Sequence, residues 1–382
     1  MPEIWFTEEE KMFQDQMRKF ATKELAPGAA ERANMREMSK PHLEKVGALG
    51  VVGIGLPEKY GGVPGSNVML GIATEEFGKA DGSMGMIMVN RSLTAWMMYE
   101  GNESIRALLP DQISLKLNTC ACITEPDCGS DVAAIKTKAE RDGDEWVLTG
   151  QKTSATFGMD AESAVVFANT RPEGGPKGLS CFFIRDFKDN PNVERSLLPD
   201  MGCLPVNRAV IHLDGVRIPA EHILGGEGQA FVMLMKDFNI DRVLNALGSL
   251  GLAQTSLDEA IEYVKIRHAF GNPISKYQGV SFQIAEDATR VQAGRLLCYN
   301  ALKKADEDLS IAKEGAMAKW FCNEVAFETI HHCLLLHGHT GYSEETPVQM
   351  RLRDSIGWEI ADGGLNVQKL IIARALIGRN LV

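Results

Sequence analysis

The sequence predicts an α+β protein of three domains: a helical domain over 1–115, an antiparallel β-domain over 116–225 and a helical bundle over 226–382. Three observations predict it. Apolar residues recur at helical spacing in the first and last thirds of the chain, whereas the middle third breaks into short β-branched and aromatic runs, and turn-forming pairs separate those runs. A chain of 382 residues also exceeds what a single compact core of ordinary size accommodates.

The elements follow in order. Thr7 with Glu10 three residues later has the pattern of a capping box, in which each side chain satisfies a free backbone N–H at a helix start. Phe13, Met17 and Phe20 continue at helical spacing, and Pro27-Gly28 ends the run. Further helices are expected over 40–49, 66–80 and 84–100, with a turn at Glu58-Lys59-Tyr60-Gly61-Gly62. Strands are expected at Trp146-Val147-Leu148, Val165-Val166-Phe167, Cys181-Phe182-Phe183-Ile184 and Ala209-Val210-Ile211. Between them lie Asp142-Gly143, Gly174-Gly175-Pro176 and Asp214-Gly215. Phe231, Leu234, Met235 and Phe238 open the last helical region, and Leu257, Ala260, Ile261 and Val264 carry the same stripe onward. Ala316 to Leu336 is another long helix, and helices of this length packed antiparallel form a bundle.

Composition narrows the function. The net charge of −11 disfavours a nucleic-acid backbone as partner, although local cations leave small anionic ligands open. Eight cysteines lack regular spacing; Cys120, Cys122 and Cys128 have no matching second group of the kind a zinc site needs, so buried reduced thiols are expected. Met1 to Phe6 shows no basic region followed by an apolar run, and no long uncharged apolar stretch occurs; a cytoplasmic protein without a membrane span is expected. Gly50-x-x-Gly53-x-Gly55 has the wrong glycine order and flanks for a dinucleotide fingerprint and reads as a turn. His331, His332, His337 and His339 show no supporting carboxylate in sequence, so no metal is expected.

The chemistry-bearing stretch is Ile123-Thr124-Glu125-Pro126-Asp127-Cys128-Gly129-Ser130-Asp131, which offers hydroxyls and free N–H groups at a strand end. It resembles the motif that borders the flavin in the acyl-CoA dehydrogenase family. The resemblance extends over essentially the whole chain. It includes Leu148-Thr149-Gly150-Gln151-Lys152, Gly251-Leu252-Ala253-Gln254, Arg267-His268-Ala269-Phe270-Gly271, Gly338 to Gly341, Thr346-Pro347-Val348, Arg353-Asp354 and Ile372-Ala373-Arg374, in the family's order. It implies a helical domain, a β-domain and a C-terminal four-helix bundle. It further implies FAD as cofactor, an acyl-CoA substrate, a homotetramer, and an electron-transfer flavoprotein as electron acceptor.

Residue by residue, the resemblance implies that Ile123, Thr124, Gly129 and Ser130 line the flavin, with Ser130 also near the substrate, and that Thr156 supplies a hydroxyl near the reactive flavin nitrogen. Arg267 and Phe270 match residues that a neighbouring subunit lends to FAD; read alone, Arg267 is a solvated helix-end charge. Gly338, Gly341, Gly364 and Asn366 match remaining cofactor contacts. Arg242 resembles the substrate-contacting arginine, with Asn239 beside it in place of a frequent aspartate. Gly363 follows the base position and lets the backbone approach the thioester.

The departures are informative. The family's usual base is a glutamate before a glycine, and here Asp362-Gly363 stands there; a subset places its glutamate before the helix arginine, and that position is Asp241. Both are catalytic candidates, and Asp362 is favoured. An aspartate withdraws the oxygens by roughly 1.5 Å, one carbon–carbon bond. A misplacement of about 1 Å can cost ~100-fold in rate. A bulkier acyl group at the α-carbon, branched or cyclic as in an alicyclic carboxyl-CoA, would close that gap. Ser154 stands where a large aromatic is common, and Leu335 with His339 where Gln and Gly are usual. The implied activity is α,β-dehydrogenation of an acyl-CoA to the 2-enoyl-CoA. Alternatives are an enoyl-CoA reductase running in reverse, a nitroalkane-oxidase-like flavoenzyme, and a non-enzymatic flavoprotein.

Overall fold

A computed structural model describes residues 5–382; Met1 to Ile4, part of the stretch read as lacking a leader, lie outside the described residues. Seven helices come first: α1 (Glu8–Phe20), α2 (Ala29–Arg32), α3 (Lys40–Gly47), α4 (Asn67–Ala80), α5 (Gly82–Tyr99), α6 (Glu103–Arg106) and α7 (Leu109–Ile113). The capping box forms as expected: Glu10 N–H donates to Thr7 Oγ1 at 3.2 Å and Thr7 N–H to Glu10 Oε2 at 2.7 Å, a reciprocal pair of the kind whose loss costs about 1 kcal/mol. Met17 is buried and Phe13 and Phe20 pack against the same core. The chain does not stop at Phe20; a π-helical turn carries it to Leu25, and Gly28 (φ 71°) then makes the left-handed break.

The middle region is one eight-stranded sheet of β1 (Thr119–Cys122), β2 (Lys138–Asp142), β3 (Glu145–Ala155), β4 (Ser163–Asn169), β5 (Leu179–Ile184), β6 (Val193–Leu197), β7 (Ala209–Pro219) and β8 (Ile223–Leu224). The order is β6-β7-β3-β2-β4-β5-β8, with β1 beside β4. Most pairings are antiparallel, as expected from the short strand spacing. However, β1–β4 and the single-residue β2–β4 contact are parallel. Alternation along a strand reveals its faces but not its partner, which is why the parallel pairs do not show in sequence. β3 and β7 shift register between Leu148 and Gly150 and again between Lys152 and Ala155, so β3 bends as it reaches the Lys152–Thr156 stretch. A Cβ at Gly150 would fall 2.5 Å from Thr137 Oγ1, so the close passage of β3 requires glycine there.

The last region opens with α8 (Ala230–Ile266), a single 37-residue helix. A two-strand hairpin, β9 (His268–Ala269) and β10 (Asn272–Pro273), follows; then come α9 (Gln278–Asp306), α10 (Ala312–His337), α11 (His339–Tyr342), α12 (Val348–Ile360) and α13 (Leu365–Ile377). The long helices pack on one another and on α4 and α5, so one continuous apolar core joins the first and last regions. All eight cysteines are buried and unbridged. Among the described residues no helix is long and apolar enough to cross a membrane. His332 bonds Asp287 at 3.0 Å, and His337 stacks on Tyr263 with ring centroids 4.4 Å apart, which gives both imidazoles structural partners.

Candidate active site

The expected residues separate into three clusters. The first is the loop after β1. Glu125 N–H donates to Cys128 O at 2.9 Å and Cys128 N–H returns to Glu125 O at 3.1 Å, closing a tight turn. Beneath it lies a buried ion pair: Lys152 Nζ is 2.8 Å from Glu125 Oε1 and 3.0 Å from Ile123 O. Glu125 accepts further bonds from Thr137 Oγ1 and from the backbone N–H groups of Lys136 and Thr137. Burial works to raise the Glu125 carboxyl, but Lys152 and these donors outweigh it and hold it below its ordinary value. Thr153 N–H donates to Thr124 O at 2.9 Å, tying the loop to the bent end of β3. The result leaves Ile123, Thr124 and Thr156 half-buried and Gly129, Ser130 and Ser154 exposed along one rim. Such a rim, which carries the hydroxyls of Thr124, Ser130, Ser154 and Thr156, fits a polar heterocycle.

The second cluster is acidic and faces α8. Phe238, Asp241, Arg242 and Asn245 recur at helical spacing and form one face of that helix. Opposite stands the loop Ala361–Gly364 between α12 and α13. Asp362 adopts φ 56° and Gly363 φ 92°, two left-handed residues in succession. A short polar side chain tolerates that conformation better than a long one, and a Cβ on Gly363 would meet Gln368 Nε2 at 2.8 Å. The loop is held by Gln368 Nε2 donating to Gly363 O at 2.6 Å and by Arg242 Nε donating to Asp362 O at 3.3 Å. Asp362 Oδ2 accepts from Asn245 Nδ2 at 2.7 Å, and the residue is half-buried.

Asp241 differs. It is 0% exposed, and neither of its oxygens has a hydrogen-bond partner among the described residues. Burial raises its carboxyl well above the ordinary range; the neighbouring Asp362 adds to this, while Arg242 opposes it. Arg242 is buried with its guanidinium 5.4 Å from the Phe238 ring, and its contact in the loop is the Asp362 carbonyl rather than the Asp241 carboxylate. Asp237, one turn earlier, is pushed up to about 7 by burial. Behind the loop, the fully buried Lys319 donates to the carbonyls of Trp358 and Glu359 at the end of α12, and burial lowers its ammonium to about 8. Gly364 is half-buried beside this loop, with Asn366 exposed on α13 and Asn239 half-buried on α8.

The third cluster stands apart. Arg267 caps the far end of α8, and Phe270 sits at the tip of the β9–β10 turn with φ 50° and 95% exposure. At 1.5 Å per residue, Arg267 is roughly 37 Å along the axis from Arg242. Gly338 (φ 61°) lies at this same end, because Tyr263 OH reaches His337 O at 3.4 Å, and Gly341 follows it in α11. One chain therefore does not bring these residues to Asp362.

Sequence reasoning missed Asn245, Lys319, Asn323 and Gln368, although the first three had a signal: each is a polar residue on an otherwise apolar helix face.

A helical layer, an eight-stranded sheet and a second helical layer thus carry a hydroxyl-bearing loop on the sheet and a carboxylate loop on the bundle. Family models described as the N-terminal, middle and C-terminal domains of acyl-CoA dehydrogenase match residues 7–115, 120–216 and 227–377. The chain is 33% identical over 380 residues to an acyl-CoA dehydrogenase of Bacillus subtilis, covering 97% of this chain and 99% of that one. It is 32% identical to subunit CarC of the caffeyl-CoA reductase–Etf complex of Acetobacterium woodii, covering 98% and 100%. The butyryl-CoA dehydrogenase structure from Megasphaera elsdenii superposes with a TM-score of 0.92 at 29% identity, covering 98% and 100%. The chain belongs to the acyl-CoA dehydrogenase family, whose oxidoreductases are FAD flavoproteins.

Proposed function

We propose that the chain dehydrogenates an acyl-CoA thioester between its α- and β-carbons, that Asp362 is the base, and that the acyl group is α-branched or cyclic. The observation that carries the base assignment is the contrast in cover. A carboxylate enclosed on every side by protein atoms cannot touch a substrate, and Asp241 is so enclosed whereas Asp362 is partly open. The short side chain of Asp362 supports the acyl assignment, since a crowded α-carbon reaches a withdrawn base.

The residues present fit FAD. Ile123, Thr124, Gly129, Ser130 and Thr156 would hold the flavin, with Gly364 and Asn366 at the bundle side, while Arg267, Phe270 and Gly338 of a second copy would reach it from outside. Bound FAD supplies a two-electron acceptor for the β-hydride. The rest is the work of this chain. Asn239, Ser130 and Gly363 orient the thioester, and the nearly covered Arg242 acts on it by holding the Asp362 carbonyl; the backbone N–H beside Gly363 stabilises the developing enolate oxygen, a contribution worth several kcal/mol in pre-aimed sites; and an Asp362 carboxylate oxygen takes the α-proton as the C–H bond breaks.

A homotetramer is supported by α13, which buries only Gln368 and exposes Leu370, Leu376 and Ile377. An electron-transfer flavoprotein as acceptor, and the reverse enoyl-CoA reductase direction as a second reading, are supported by the CarC relative, itself part of a reductase–Etf complex. The test is an anaerobic titration of the flavoprotein with linear, branched and cyclic acyl-CoAs, following loss of the flavin band. Fastest bleaching by the branched or cyclic thioesters is expected. Best turnover of butyryl- or octanoyl-CoA would remove the acyl assignment, and bleaching by none of them would remove the dehydrogenase direction.

A further inference from the structure

We infer that Asn245 is the positioning residue of the base, holding one Asp362 oxygen so that the other is aimed at the α-carbon; this rests on the reading of Asp362 as base. Asn245 Nδ2 donates to Asp362 Oδ2 at 2.7 Å across 117 positions of sequence. The amide has only one workable orientation. Its Oδ1 accepts from Asn323 Nδ2 at 3.0 Å, and Asn323 Nδ2 is itself fixed by the Lys319 carbonyl at 2.9 Å, one turn earlier in α10. Turning the Asn245 amide over would set its oxygen against the Asp362 carboxylate and its NH2 against the NH2 of Asn323, losing two bonds and making two repulsions.

Both asparagines are 0% exposed, where an amide is costly unless bonded. An apolar residue of the same size would satisfy the α8–α10 contact without that cost, so packing does not account for the pair. The relay instead reaches the half-open Asp362 at the site. The charged groups around that carboxylate are Asp241 and Arg242 on α8 and Lys319 on α10, and none of them bonds its oxygens. A neutral donor therefore sets the direction of the base. It also fits the aspartate: a short side chain on a left-handed loop has little freedom to find its own aim, and Asn245 supplies that aim.

The experiment uses the FAD-loaded enzyme and an accepted acyl-CoA, measuring kcat, KM and exchange of the α-hydrogen with D2O, which follows proton transfer alone. Asn245→Leu keeps the branched shape and removes the donor. It is expected to lower kcat and exchange together by about 10–100-fold, the cost of a misaimed reacting group, with KM and flavin content unchanged. Asn245→Gln, which keeps the donor, should recover part of the loss, and crystals of Asn245→Leu should show the Asp362 side chain in more than one rotamer. Should Asn245→Leu fail to fold, Asn323→Ala decides the matter: it frees the Asn245 amide and is expected to give a smaller loss confined to kcat. Wild-type kcat and exchange in a folded Asn245→Leu or in Asn323→Ala overturn the inference. If Asp362→Asn itself still exchanges the α-hydrogen, the base assignment fails instead, which separates the two ideas.

Discussion

Two of the buried charge clusters among the described residues, one under the β1 loop and one against α8, are built on opposite terms. Under the β1 loop, Glu125 and Lys152 satisfy one another and their surroundings: the carboxylate takes bonds from Lys152, Thr137 and two backbone N–H groups, and the ammonium takes the Ile123 carbonyl. Against α8, Asp241 has no bonding partner among the described residues and one Asp237 oxygen is likewise unmatched. A satisfied buried pair is scaffolding and fixes the shape of a loop. Unmatched carboxyls raised by burial are held towards their neutral form, and groups so perturbed gather where chemistry is done.

The sharpest way to test the contrast between the two regions is Asp362→Asn, at the loop that faces the unmatched carboxyls. Loss of a general base costs about 10²–10⁴-fold, and kcat is expected to fall by that much while the thermal midpoint barely moves. Lys152→Met should do the reverse. It leaves Glu125 buried without its cation, a change that costs about 3–5 kcal/mol, so a large drop in thermal stability and weaker flavin retention are expected; an unchanged denaturation midpoint would sink the scaffold role. The smallest effect concerns pH. Asp237 sits at about 7 in the folded chain, raised chiefly by burial from an ordinary 3.8. The folded state therefore binds this proton more tightly than the unfolded chain. Its contribution to stability is complete below pH 4 and is lost as pH rises through about 7. Asp237→Asn should flatten the decline in unfolding midpoint between about pH 4 and 7, and a decline of undiminished slope would count against the assignment.

Much of this architecture was legible. The capping box at Thr7, the helices ending at Ala80 and Tyr99, and the strands through Trp146, Val166, Phe182 and Val210 all follow from local spacing and turn chemistry. The parallel pairing of β1 with β4 did not show, because Thr119 and Ser163 meet only when the sheet is assembled. The loop motif was visible, but its support was not: Thr137 and Gly150 reveal their roles only where β3 passes close. At the carboxylate end, both aspartates stood out by position, yet nothing local said which one is covered. Asn245 looked like an odd residue in an apolar run until α10 brought Asn323 beside it.

By itself, then, the sequence determined the succession of helical, sheet and helical regions, because periodicity, caps and turns are properties of neighbours along the chain, and through its resemblance it offered a short list of candidate residues. Tertiary structure alone decided which aspartate is open, which amide bonds it, and that Arg267 and Phe270 lie far from Asp362 in the same chain. Burial and hydrogen-bond partnership depend on what packs from other parts of the molecule, and no residue carries that information locally.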